Sequence, residues 1–316
     1  MKNLSKPVIF LIGPTASGKT DLAINIFNEL PIEIISVDSV MVYKDFDIGS
    51  AKPNKNILKK YPHQLVDIIS PERVYTVSNF IDDAKSIINE AHENKKIPLL
   101  VGGSMMYFQS LLKGLDNLPE RDEIFRSKMN EIVESEGISE LYAQLKIKDP
   151  EYAISIKEND SQRIIRALEI IYLTNNTLTA QLGKKANKIF SDQYDLIQCA
   201  IFPNDRKILH NRIETRLKQI ISEGLVSETR KILDLYNIKH EHPALKAINY
   251  KQALSYINNE YDEDNMYLKA LYATRQLAKR QITWMRSWDN TKTFDINEDK
   301  KILKFIKNIK EIKRFV

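Results

Sequence analysis

The chain is poor in cysteine and glycine, and it has no long apolar run. Cys199 is the one cysteine among 316 residues. A lone cysteine excludes an internal disulfide, and it builds no zinc site without several histidines beside it. No apolar run approaches the roughly 18 residues of a transmembrane helix, so a helical membrane span is excluded. The first residues lack a signal-peptide layout, and the expected location is the cytoplasm. Hydrophobic residues make up 43% and charged residues 28% of the chain, which excludes whole-chain disorder. The 47 basic and 42 acidic side chains leave a charge of +5, which permits a polyanionic partner without demanding one. The length suggests one large domain or two ordinary ones.

Glycine is also well below expectation. Average usage of about 7% would give roughly 22, and the chain has nine. A genome rich in A and T accounts for a low total. A chain this short of glycine still keeps it mainly where the backbone needs it. Four of the nine form two clusters, Gly13 with Gly18 and Gly102 with Gly103, and each cluster follows an apolar run.

Residues 8–12 (VIFLI) read as a buried parallel strand, 20–30 as a helix closed by Pro31, and 32–37 as a second strand. Residues 76–94 read as a helix and 98–101 as a third strand ending at Gly102-Gly103. This alternation predicts an α/β domain with a parallel sheet. From 119 to about 190 the pattern is helical, with helices over 128–136, 138–146 and 160–173. A strand returns at 196–202, and helices follow over about 205–235, 246–257 and 266–287. The expected organisation is an α/β core begun by residues 1–118, a helical insertion over 119–192, and completion of the core by 193–316. The tail, 299–315, reads as a docking helix with a solvated basic face.

Gly13, Pro14, Thr15, Ala16, Ser17, Gly18, Lys19 and Thr20 fit G-x-x-x-x-G-K-[ST] between a strand and a helix. Such a loop turns backbone N–H groups onto phosphate oxygens at a helix N-terminus. Lys19 adds a cation, and the Thr20 hydroxyl is a candidate Mg²⁺ ligand. The motif, shared with ATP-binding proteins, names a phosphate chain and no reaction. A GTPase would carry N-K-x-D, which Asn54-Lys55-Asn56 does not complete. A kinase for a small metabolite stays open on this loop alone. Asp38 ends the second strand at the sheet's carboxyl edge, where ligands bind in open α/β sheets. A carboxylate there can act as a base or hold Mg²⁺ through water. Gly102-Gly103-Ser104 ends the third strand at the same edge, and its glycines would let a ligand approach.

Seven motifs in order carry a resemblance over residues 7–288: GPTASGKT, VDSVMVYKDFDIGSAKP, PHQLVDI, VGGSMMY, NDSQRIIRALE, HNRIETR and ATRQLAKRQITWMRSW. With them the chain resembles the bacterial tRNA dimethylallyltransferases. The resemblance implies a fold like that of the P-loop NTPases. It implies transfer of the dimethylallyl group from dimethylallyl diphosphate to N6 of adenosine 37, in tRNAs that read codons beginning with U. Diphosphate leaves, so the loop holds a leaving group and no phosphoryl group moves. Asp38 matches the family's general base, Arg216 the arginine that reaches the diphosphate, and residues 15–20 the diphosphate lining. Mg²⁺ is the implied cofactor, and a monomer is the implied state. Contacts to the tRNA anticodon stem-loop carry over to Asp38, Ser39, Val40 and Met41, to Ser104 and Arg126, and to Gln162, Arg163, Ile164, Ile165 and Arg166. They carry over also to Lys246 and Lys251, and to Lys279, Arg280 and Arg286.

Charge supports the last segment on its own. Residues 269–286 hold five basic side chains and no acid, and helical spacing puts Arg275, Lys279 and Arg286 on one face. Two departures stand out. Ser104 replaces the family's threonine and keeps the hydroxyl. Residues 246–252 read KAINYKQ where the family carries an arginine-rich run ending in Gly-Tyr-Arg-Gln, so Asn249 stands in place of a glycine. Asparagine tolerates positive φ better than most residues, which would let the turn survive. The readings to separate are a tRNA-modifying transferase, a metabolite kinase, and an RNA-binding protein without activity.

Overall fold

A computed structural model of the chain describes residues 6–183, 190–240 and 242–315. The chain divides into two compact units, Met1–Leu112 with Phe190–Val316, and Lys113–Ile189. Six strands build the first unit: β1 (Pro7–Ile12), β2 (Ile32–Val37), β3 (His63–Gln64), β4 (Ile97–Gly102), β5 (Asp195–Phe202) and β6 (Thr291–Asp295). They form one sheet in the order β3-β2-β4-β1-β5-β6, and every pairing is parallel. β1 is central, with Leu11 opposite Val101 of β4 and Cys199 of β5. Helices cover both of its faces, and all six of its residues are buried, as its unbroken apolar run requires.

On one face Ile9 and Leu11 pack with Leu22 and Ile26 of helix Lys19–Phe27, Leu209 and Ile213 of helix Arg206–Ser222, and Ala278 of helix Glu263–Arg286. On the other face, the Phe10 ring meets Phe108 of helix Met105–Lys113 at 4.9 Å and Phe190 at 5.7 Å. The tail forms helix Asp299–Asn308, with Ile302 and Ile306 fully buried and Lys304 exposed. The expected helix over 205–235 is two helices, Arg206–Ser222 and Leu225–Leu235, because Gly224 breaks the run at φ +106°. The helix expected from 246 begins at Tyr250, since Asn249 lies at φ +76°. Among the described residues no helix is long and apolar enough to cross a membrane.

The second unit is helical: Glu123–Glu136, Ile138–Lys148, Pro150–Ser155, Ser161–Thr174 and Leu178–Gln181. Its core is its own, built on Leu141, Leu145, Ile164, Ala167, Leu168 and Ile170. It begins before residue 119 because Leu118 packs into that core and Asp116 accepts the Gly183 N–H at 2.9 Å. It ends before 192 because Phe190 packs on Phe10 and on Tyr194 in the sheet unit. Residues 184–189 of the expected insertion lie outside the described residues.

Candidate active site

The order of the strands decides where a ligand can sit. The chain leaves β1 for β2 on one side, and it leaves β4, the neighbour of β1, for β5 on the other. The carboxyl ends of β1 and β4 therefore flank a crevice, the favoured binding place in such sheets. Gly13 closes β1 there, and its N–H donates to Gly102 O at 3.4 Å. The phosphate loop follows β1, Asp38 follows β2, and Ser104 follows β4, so three loops distant in sequence line one cavity of about 1160 Å³.

Thr15, Ala16, Ser17, Gly18, Lys19 and Thr20 all line that cavity. Gly13 and Pro14 are buried behind it. Lys19 Nζ donates to Pro14 O at 2.6 Å and to Ser17 Oγ at 3.3 Å, so the ammonium lies folded along its own loop. Burial, and then the charge of Arg216, lower its pKa to about 7, with Asp38 opposing them. Arg216, from helix Arg206–Ser222, lines the same cavity and donates to Ala51 O at 3.2 Å. Burial also lowers Arg216, while Asp38 and Asp21 raise it. Two basic groups and one carboxylate thus share the crevice within electrostatic reach.

Asp38 Oδ1 accepts the N–H groups of Val40 at 2.8 Å and Met41 at 3.1 Å. This side-chain-to-backbone turn reverses the chain just beyond β2 and orients the carboxylate. No protein donor among the described residues binds Oδ2, which leaves that oxygen available as a proton acceptor. Ser39, Val40 and Met41 line the cavity beside it, as do Ser104, Lys246 and Arg280.

One functional side chain was not singled out by its motif. Gln281 accepts the Thr15 N–H on Oε1 and donates from Nε2 to Gly103 O, both at 2.9 Å. It is buried in helix Glu263–Arg286 and ties the phosphate loop to the end of β4. A glutamine inside a basic helical run carries no signal of that role. Gly102 and Gly103 line the cavity, and the protein's own chain requires them bare as well. A Cβ on Gly103 would stand 2.4 Å from Gln281 Nε2, and one on Gly102 would stand 2.1 Å from Val37 O.

Other expected residues divide. Lys251, Lys279 and Arg286 are exposed but do not line the cavity. Arg275, expected on their face, is half-buried and donates to Glu214 at 3.3 Å. In the helical unit, Gln162 and Arg163 are exposed. Ile164 and Ile165, expected among the tRNA contacts, are buried in that unit's core, and their side chains are withdrawn from any partner. Arg126 and Arg166 are half-buried and bind Glu169, which has no exposed surface. Arg126 meets it through two N–H groups at 2.7 and 2.8 Å, and Arg166 through one at 2.5 Å. Burial alone would raise the Glu169 carboxyl, but Arg126, Arg166 and the Asp122 N–H outweigh it and hold it at about 2. These arginines brace their unit whatever else they touch.

Comparisons with known proteins bear on what the crevice serves. Residues 41–288 match the family described as IPP transferase. A tRNA dimethylallyltransferase from Thiobacillus denitrificans is 42% identical over 293 residues, which cover 93% of each chain. One from Legionella pneumophila is 43% identical over 292 residues, 92% of each chain. The solved structure of a full-length tRNA isopentenylpyrophosphate transferase from Bacillus halodurans superposes with a TM-score of 0.70 at 32% identity, covering 98% of both chains. With its parallel six-stranded core and a match over most of its length, this chain belongs to the IPP transferase family.

Proposed function

We propose that the chain transfers the dimethylallyl group of dimethylallyl diphosphate to N6 of adenosine 37 in tRNAs that read codons beginning with U, releasing diphosphate. The observation that carries this reading is the shared crevice, in which Lys19 and Arg216 face the same space as the carboxylate of Asp38. Breaking the allylic C–O bond builds negative charge on the diphosphate, and fixed cations and loop amides stabilise it there. The attacking amine must lose a proton as its bond to carbon forms, and Asp38 Oδ2 accepts it. The adenine must leave the anticodon-loop stack to reach that oxygen. The cavity walls at 38–41, Ser104, Lys246 and Arg280 are the surfaces that would hold it. Exposed Lys251, Lys279 and Arg286, with Arg126, Gln162, Arg163 and Arg166 of the helical unit, supply further contacts to the anticodon stem-loop.

Thr20 lines the cavity, and its hydroxyl is the group that would hold Mg²⁺ together with the substrate's phosphates. When bound, the ion neutralises charge on the departing diphosphate. The enzyme acts in this reading as a monomer in the cytoplasm.

The test is incubation with unmodified tRNA, Mg²⁺ and dimethylallyl diphosphate, without ATP. The expected product is adenosine 37 heavier by one C5H8 unit. No gain in that mixture, with ATP-dependent phosphorylation of a small metabolite instead, would replace this reading by that of a kinase.

A further inference from the structure

Residues 49–51 line one wall of the crevice, in a turn closed locally by Ser50 Oγ donating to Phe46 O at 2.6 Å and by the Ala51 N–H donating to Ile48 O at 2.9 Å. Ala51 sits at φ +53°, an uncommon conformation for alanine. From outside the segment, the amides are gathered by Glu228 of helix Leu225–Leu235. Its Oε2 accepts the Asp47 N–H at 3.2 Å and the Ile48 N–H at 2.7 Å, and its Oε1 accepts the Gly49 N–H at 3.0 Å. Three consecutive amides thus converge on one carboxylate, as they would on an anionic ligand. The fully buried Tyr250 completes the set, since its hydroxyl donates to Glu228 Oε1 at 2.7 Å and accepts the Ser50 N–H at 3.2 Å. At the loop's far end, Lys52 Nζ, almost fully buried, binds Asp47 at 2.7 Å and Asp67 at 2.5 Å.

The loop meets Arg216 directly at Ala51. The Ala51 carbonyl is the one protein acceptor that the Arg216 guanidinium binds among the described residues. The direction in which its remaining N–H groups point depends on where that carbonyl stands. The carbonyl in turn closes a loop whose amides are gathered by Glu228. We infer that Glu228 is a positioning residue, which fixes the 47–51 loop so that Ala51 O aims Arg216 at the diphosphate. The inference rests on the proposed role of Arg216, and it assigns Glu228 no contact with substrate.

Glu228→Gln tests it, because the amide keeps the shape but places an N–H₂ donor against backbone N–H groups. The dissociation constant of inorganic diphosphate should rise about tenfold, the loss expected of one charge-assisted hydrogen bond. The KM for dimethylallyl diphosphate should rise in step, while the KM for tRNA should stay within about twofold. In an Arg216→Ala background the same substitution should change diphosphate binding by less than about twofold, since the two act through one contact. A tenfold effect that persists in that background overturns the inference. So does a lower Tm with unchanged diphosphate binding, or an equal rise in both KM values. If Glu228→Gln does not fold, Tyr250→Phe removes the hydroxyl between Glu228 and the Ser50 N–H. It should weaken diphosphate about threefold, and this too should vanish with Arg216→Ala. An effect of Tyr250→Phe that is absent, or that survives in that background, overturns the inference. Diphosphate binding is read without prenyl transfer, so failure of the proposed reaction and failure of this inference are separate results.

Discussion

Binding of dimethylallyl diphosphate should take up a proton, and Lys19 should be the group that receives it. In the free protein, burial and then Arg216 lower the Lys19 ammonium to about 7, against the partial support of Asp38. Its hydrogen-bond partners are an uncharged carbonyl and a hydroxyl, so no carboxylate is bonded to it. At pH 8, about one free molecule in ten therefore carries the charge. A bound diphosphate brings about three negative charges to the loop and returns Lys19 toward its ordinary value of 10.5. Each binding event at pH 8 should then take up about 0.9 proton, and at pH 6 about 0.1, because the lysine is already charged there. Calorimetric titration with a non-reactive thio analogue, in two buffers of different ionisation enthalpy, reads this number directly. Lys19→Met should abolish the uptake and weaken binding by about ten- to a hundredfold, the range for a charge-assisted hydrogen bond. The variant also subtracts any proton taken up by the ligand itself. Uptake below about 0.2 at pH 8, or uptake that survives in Lys19→Met, would refute the argument. The same shift has a stability consequence of definite sign. Between about 7 and 10.5 the unfolded chain holds a proton on Lys19 that the folded apoprotein has lost, so apoprotein stability should rise with pH across that window.

Asp38→Asn should lower kcat by about 10²- to 10⁴-fold, because it keeps the acceptor for the Val40 and Met41 N–H groups and removes the base. The tRNA dissociation constant, read by filter binding, should stay within about threefold, and equal losses in both would make Asp38 a binding residue. Glu169→Ala should cost about 2–3 kcal/mol in urea unfolding, less than for a fully buried pair because Arg126 and Arg166 are 23% and 30% exposed and can rehydrate. With the carboxyl held at about 2 against an ordinary 4.5, its contribution is complete above 4.5 and lost as pH falls through about 2. Acid titration of Glu169→Ala should lack that loss, and identical acid curves would remove Glu169 as the brace.

The strands beneath the crevice were legible because parallel strands buried on both faces are unbroken apolar runs, as at Ile9, Ile34 and Leu99. The sheet's two edges were not. β6 reads TKTFD, with Phe294 alone buried, and β3 is two residues long, so neither carries a hydrophobic pattern. Asp38 could be placed from sequence because it follows directly on a legible strand, and Lys19 and Thr20 because a glycine-loop motif joins a legible strand to the helix they open. Gln281 and Glu228 could not, because what they bind is backbone, 266 and about 180 residues away. A side chain that satisfies N–H groups of a distant loop leaves no local periodicity to read. The same blindness misassigned Ile164 and Ile165, since a stretch carried over whole from a motif ignores helical spacing. In helix Ser161–Thr174 the two isoleucines face the core, while Gln162 and Arg163 are exposed.

Asn249 shows how a missing glycine can be absorbed. The position lies at φ +76° and ψ −55°, outside the ordinary range of a side-chain-bearing residue and one that glycine adopts at less cost. The asparagine amide makes a contact that a glycine lacks. Its Nδ2 donates to Gly49 O at 2.8 Å, and the Asn249 N–H is met by Gln252 Oε1 at 2.9 Å. The effect of that contact is local. Gly49 is held through its N–H by Glu228 and through its carbonyl by Asn249, from two different elements. Where the carbonyl would otherwise be fixed on one side only, the substitution adds a second anchor to the loop that ends at Ala51 and meets Arg216. The cost falls on the turn at 249, and the gain on the wall of the crevice.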